Sequence, residues 1–162
     1  MKTLRSHLCG QWFEAGRDFQ VLLNPSTEEP LARASSTGAD LPGALAWARE
    51  RGGPALRALT FAQRGEILKA LGKRLREHRD ELLGLSSANN GSTATDGAFD
   101  LDGAGGALAY YGGLGIALGS RMVLADGEGT ALGKSESFWS AHALVPRSGV
   151  AVHINAFNFP AW

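Results

Sequence analysis

The run "SGVAVHINAF", residues 148–157, constrains this chain more than any other stretch. It reads as a β-strand apolar enough to be buried on both faces, which is the pattern of a parallel strand. Parallel strands need neighbours, and those neighbours must be joined by crossover helices. Only "NFPAW" follows it, so the strand is expected to stand as an orphan at the end of the 162-residue sequence.

The rest of the chain supplies helices and short strands. "LCGQWFEAG" and "FQVLLNPSTEEPLARAS", within residues 7–35, are β-prone runs separated by "EAGRD", and they read as a two-stranded opening hairpin. Asn24-Pro25-Ser26-Thr27 adds turn chemistry to the second run. Asp40 is placed to cap a helix through "LPGALAWARE" that ends at Gly52-Gly53-Pro54. Thr60 and Gln63 have capping-box spacing, and Ile67, Leu68, Leu71, Leu75 and Leu82 then recur at helical intervals. The mixed-sign stretch "KRLREHRDE" at 73–81 reads as the solvated face of that helix, with phosphate binding as the lesser reading. "SSANNGSTATDGAFDLDGAGG", 86–106, reads as a break before a glycine-rich helix bearing Tyr110, Leu114 and Leu118, whose glycines would permit close helix packing. A polar loop and a strand over 137–146 complete the sequence up to the orphan.

At about one domain per ~150 residues, the length fits a single domain with a core of its own. Sixteen basic residues balance sixteen acidic ones, so no net field draws in nucleic acid or anionic lipid, and neither is expected as a partner. The N-terminus lacks the apolar core of a secretory signal. The uncharged run at 103–119 is too short and too glycine-rich to span a bilayer, which takes about 20 apolar residues. The chain is expected to be cytoplasmic.

Most candidate chemistry has a plainer reading. Gly113-x-Gly115 lies inside a helical pattern rather than at a strand-to-helix turn, so it is a poor dinucleotide fingerprint. Asp100 and Asp102 could act as paired carboxylates, but a glycine-rich loop carries such residues as turn and cap formers. His7, His78, His142 and His153 have no ligand spacing, and no metal site is expected. Cys9, the one cysteine, has no local base to activate it as a nucleophile. Asn158 remains. A neutral amide suits the holding of a developing oxyanion, while the competing reading makes Asn158 a turn residue before Pro160. The residue types alone favour the turn.

"GVAVHINAFNFPAW" resembles the strand and loop of the aldehyde dehydrogenase superfamily, whose usual Pro-Trp-Asn-Phe-Pro is here Ala156-Phe157-Asn158-Phe159-Pro160. The Asn-Phe-Pro core is kept, and Ala156 and Phe157 replace the commoner Pro and Trp. "GGPALRALTFAQRGEILKAL", "DLDGAGGALAYYGGLG" and "HALVPRSGVAVHINAFNFPAW" resemble the branch acting on CoA-thioester semialdehydes in phenylacetate and benzoate catabolism, so the likeness covers nearly the whole chain.

This resemblance implies an α/β fold: the N-terminal portion of an aldehyde dehydrogenase, incomplete as it stands. Residues 1–136 would be the hairpin and helices of the cofactor-binding domain, and 137–147 an oligomerisation arm. Residues 148–162 would be the first Rossmann strand and the oxyanion loop. Asn158 would stabilise the tetrahedral thiohemiacetal, and Ile154, Asn155, Ala156 and Phe157 would line the nicotinamide end of NADP or NAD, with NADP favoured. The substrate would be an aldehyde, foremost an acyl-CoA semialdehyde, oxidised to the carboxylate by a homo-oligomer, a dimer or higher. The family's nucleophilic cysteine and general-base glutamate come from later in its chains, and Cys9 matches neither position, so the 162 residues alone are expected to be inactive. A stand-alone, non-catalytic module that associates with a dehydrogenase protomer through 137–147 is the alternative, and a decayed fragment that folds poorly is a third.

Overall fold

A computed structural model of the chain describes residues 1–135 and 137–162; Glu136, the last residue of the expected first segment, lies outside the described residues. The architecture is α/β, with three small sheets and a set of packed helices among the described residues.

The opening strands do not form one hairpin, because each run carries its own turn. Strands β2 (Ser6–Leu8) and β3 (Gln11–Phe13) pair antiparallel, with Leu8 opposite Gln11. Cys9 and Gly10 form the two-residue connection at φ +52° and +79°, the left-handed pair that suits the twist of a tight hairpin. His7 and Trp12 face each other across it with ring centroids 5.0 Å apart, and Arg5 lies over the indole. The second run folds back at Asn24, whose side chain accepts from the Ser26 N–H at 2.9 Å, joining β4 (Gln20–Leu23) to β5 (Pro30–Ala34). Strand β1 (Lys2–Thr3) adds in parallel to β5, giving the order β1-β5-β4.

Helix α1 (Leu41–Trp47) is capped by Asp40, which accepts from the Gly43 N–H at 2.9 Å. It does not stop at Gly52-Gly53-Pro54. A π-helical turn at Ala48–Gly52 leads directly into α2 (Gly53–Arg57), with the Gly53 N–H bonded to the Ala48 carbonyl five residues back. Widening the helix there accommodates Pro54, which has no N–H to give and is tolerated in a first turn.

Helix α3 (Phe61–Glu77) begins with a complete capping box: the Gln63 N–H reaches Thr60 Oγ1 at 3.2 Å, and the Thr60 N–H reaches Gln63 Oε1 at 2.9 Å. Thr60→Ala should cost about 1 kcal/mol of stability, read from the urea midpoint at unchanged slope. The expected single helix through Leu82 is interrupted at His78, which leaves helical geometry at φ −106°, ψ +16°. The chain restarts as α4 (Arg79–Asn90), and Leu82 and Leu85 then line a cavity of about 490 Å³ with Leu4, Leu22 and Leu31 of the β1-β5-β4 end.

The break expected over 86–106 shrinks to residues 91–93, because α4 runs on to Asn90 and helix α5 (Ala94–Leu118) starts at Ala94. Glycine is poor helix material by itself, but here it lets two backbones meet. Gly65 and Gly72 of α3 are buried against α5, where Gly105 and Gly112 are buried in turn. A β-carbon on Gly65 would fall 2.5 Å from the Gly112 carbonyl oxygen, and one on Gly115 would fall 2.7 Å from that of Phe61. The packed face of α3 thus runs through Gly65, Leu68, Gly72 and Leu75, while Ile67 and Leu71, expected on the apolar face, are about half exposed.

Beyond α5, β6 (Leu124–Ala131) and β7 (Trp139–Leu144) form an antiparallel ribbon with an irregularity between Asp126 and Thr130. β7 falls where a strand was expected; β6 lies in what read as a polar loop, because its residues gain strand geometry from pairing rather than from their own preference. The strand expected over 148–157 is not formed. Its residues are exposed, Ile154 to 90%, and among the described residues its one bridge is Ala156 to Phe159. Among the described strands none lies beside it, so its exposed backbone is left to water rather than to a strand ladder. No helix among the described residues is long and apolar enough to cross a membrane.

Candidate functional site

The structure gathers the proposed loop at one end of the helical layer. Ala156 to Phe159 form a tight turn closed by the Phe159 N–H on the Ala156 carbonyl at 3.1 Å. The Asn155 carboxamide is spent on the loop itself, donating through Nδ2 to the Pro160 carbonyl at 2.8 Å. Asn90, the last residue of α4, donates through Nδ2 to the Phe157 carbonyl at 3.3 Å.

The other side of the turn is held by α5. Asp100, 3% exposed, is the one buried charged side chain among the described residues. Its Oδ2 accepts from the Ala161 N–H at 3.0 Å and its Oδ1 from the Trp162 N–H at 2.9 Å. Phe99, the preceding residue, meets Phe159 nearly edge-on at 6.4 Å and Trp162 at 5.5 Å between centroids. The Trp162 indole lies where a side chain on Gly103 would be.

Asn158 occupies the third position of the turn and is exposed. Among the described residues its side chain makes no hydrogen bond, so the turn is built by backbone atoms and Asn155 rather than by Asn158. A carboxamide presented in this way can donate to an incoming oxygen atom. Ile154 and Phe157 expose 90% and 87% of their surface, and Asn155 and Ala156 are exposed beside them.

A profile of the aldehyde dehydrogenase family matches residues 12–162. The chain belongs to this family. Over 159 residues it is 43% identical to the 3,4-dehydroadipyl-CoA semialdehyde dehydrogenase of Aromatoleum evansii, which takes in 98% of this chain and 31% of that protein. It is 28% identical to the 3,6-anhydro-alpha-L-galactose dehydrogenase of Vibrio sp. (strain EJY3) over 99% of this chain and 32% of that one. The chain therefore spans about a third of the length of these curated relatives. Among solved structures, the betaine aldehyde dehydrogenase of Staphylococcus aureus in complex with NAD+ superposes with a TM-score of 0.62 at 23% identity, covering 69% of this chain and 23% of that one. That likeness establishes a shared fold.

Within this aldehyde dehydrogenase segment the other candidates take structural places. Asp100 and Asp102 are not loop residues and do not act as a pair. Both sit inside α5, and Asp102 forms a two-pronged ion pair with Arg79, Nε to Oδ1 at 2.9 Å and Nη2 to Oδ2 at 2.8 Å. Hydrogen bonding from Arg79 holds the Asp102 carboxyl below its ordinary range and raises the guanidinium in return. In the 73–81 stretch, Glu77 is engaged by Arg74 at 2.7 Å and Lys73 at 3.7 Å, a solvated network of helix neighbours. Gly113 and Gly115 lie within α5, and Cys9 is exposed in the β2–β3 turn. Among the described residues no three His, Cys, Asp or Glu side chains cluster as a metal site would require. Sequence reasoning missed Asn90 and Asp100 as supports of the loop, and no short-range pattern signals contacts across 67 and 61 residues.

Proposed function

We propose that this chain supplies the oxyanion donor and the nicotinamide-facing loop of an enzyme that oxidises a CoA-thioester semialdehyde to the carboxylate. The observation that carries the substrate class is the 43% identity, over 98% of the chain, to a dehydroadipyl-CoA semialdehyde dehydrogenase. Asn158 is the donor: its exposed carboxamide makes no hydrogen bond among the described residues. As an enzyme thiolate adds to the aldehyde carbon, the carbonyl π pair moves onto oxygen, and the Asn158 Nδ2–H stabilises the negative charge formed there.

The loop's chemistry fits a nicotinamide. Ile154 and Phe157 offer uncovered apolar surface for a flat ring, and with Asn155 bound to Pro160 the polar contacts from 154–157 are left to the backbone. Bound NAD(P)+ supplies the hydride acceptor, and NADP+ is the favoured form. The ribbon β6–β7, whose β7 lies within 137–147, acts as the arm through which copies of the enzyme associate in the cytoplasm; its exposed Trp139 and Leu144 support that use.

The test follows reduced cofactor by absorbance, using the whole enzyme that contains this chain. A semialdehyde carried as a CoA thioester should give a higher kcat/KM than an uncharged aliphatic aldehyde of equal length, and NADP+ a higher value than NAD+. Equal efficiency with the free aldehyde would reject the substrate class. No reduction of either cofactor with any aldehyde would reject the activity.

A further inference from the structure

We propose that Asp100 is a positioning residue for the reaction assigned above to Asn158, on which reading this inference rests: its buried carboxylate anchors the main chain just after the Asn158-Phe159-Pro160 turn. Aspartate is a poor choice inside a helix, and a buried carboxylate is costly unless its oxygens are satisfied. Here each oxygen takes a different backbone N–H, that of Ala161 at 3.0 Å and that of Trp162 at 2.9 Å. Charge-assisted bonds of this kind are shorter and stronger than neutral ones. They fix the backbone three and four residues beyond Asn158.

The opposite flank is fixed independently, by Asn90 on the Phe157 carbonyl at 3.3 Å, and Phe99 packs on Phe159 between the two anchors. The turn is therefore tied on both sides to helices α4 and α5, while the Asn158 side chain, without a hydrogen bond among the described residues, is available to donate. An oxyanion donor works only if it is held in place before the charge develops, since reorganisation during the reaction cancels its advantage. A neutral carboxamide at position 100 could not replace the carboxylate. It offers one acceptor and turns an NH2 toward the second backbone N–H.

The experiment is a double-mutant cycle in the whole enzyme, with kcat as the readout and folding checked by thermal melt. Asn158→Ala should lower kcat on the order of 10²–10³-fold. Asp100→Asn should lower it on the order of 10–100-fold through misplacement of the loop. The double variant should be no slower than Asn158→Ala alone, because a donor that is gone cannot be misplaced. Full activity of Asp100→Asn beside a crippled Asn158→Ala overturns the positioning role and leaves the oxyanion assignment intact. The same fold-loss from Asp100→Asn in both backgrounds also overturns it, since the effect then bypasses Asn158. An undiminished Asn158→Ala enzyme overturns the assignment and the positioning role with it. If Asp100→Asn does not fold, Asp100→Glu carries the same cycle, keeping the charge while displacing the anchor by one methylene.

Discussion

Asn158→Ala is expected to leave the enzyme folded and cofactor-competent while lowering kcat by two to three orders of magnitude, equivalent to about 3–4 kcal/mol of transition-state stabilisation. The two halves of this expectation have separate grounds. The fold should be indifferent because the side chain is exposed and the turn closes through the Phe159 N–H and the Asn155 carboxamide. The chemistry should not be, because under the proposed assignment an alanine would leave the new oxyanion without its amide donor. Asn158→Asp sharpens the test: it keeps size and shape but sets a carboxylate against the oxyanion, and kcat should fall further than with alanine. Steady-state kinetics with a thermal melt of each variant would decide it. A variant with wild-type kcat would remove Asn158 from the mechanism.

Gly65→Ala should be the most damaging single-methyl addition in the helical layer. The new β-carbon would sit 2.5 Å from the Gly112 carbonyl oxygen and 2.9 Å from the Ile116 nitrogen, both backbone atoms that cannot rotate aside. Relief requires the helices to separate, and overpacking of this kind costs about 1–3 kcal/mol. Alanine's better helix propensity, about 1 kcal/mol over glycine, offsets part of the loss. Gly84→Ala in α4 is the matching control. Nothing lies within 4 Å of its added methyl, so it should be neutral or stabilising by up to about 1 kcal/mol. Urea unfolding of both variants gives the comparison, and a Gly65→Ala midpoint at or above wild type would refute the close-packing account.

What could be read from the sequence was local. Asp40 and Thr60 begin their helices as expected because a cap involves residues three apart. Asn24 turns the chain where its side chain can reach the Ser26 N–H. The errors came where distant contacts outweighed local preference. Residues 94–106 are helical despite their glycines because α4 packs at Gly97 and α3 at Gly105. β6 is a strand because β7 is beside it, and 148–157 is not one because no described strand is. The Asn-Phe-Pro loop was recognisable from its residues and their family likeness, but its attachment was not. Asp100 read as a turn former, since nothing near it in sequence reveals that its partners are residues 161 and 162.

The glycine contacts between α3 and α5 also set a length scale. Because Gly65 fits opposite Gly112 and Gly115 opposite Phe61, sliding α5 by one turn, about 5.4 Å along its axis, would bring Leu108 or Ile116 to the place of Gly112 and set a side chain against the backbone of Gly65. The interface therefore has a single axial register. Asp100 and Phe99 ride on the same rod as Gly112, three turns away, so the height at which they hold the Asn158 turn is indexed by glycines that never touch it.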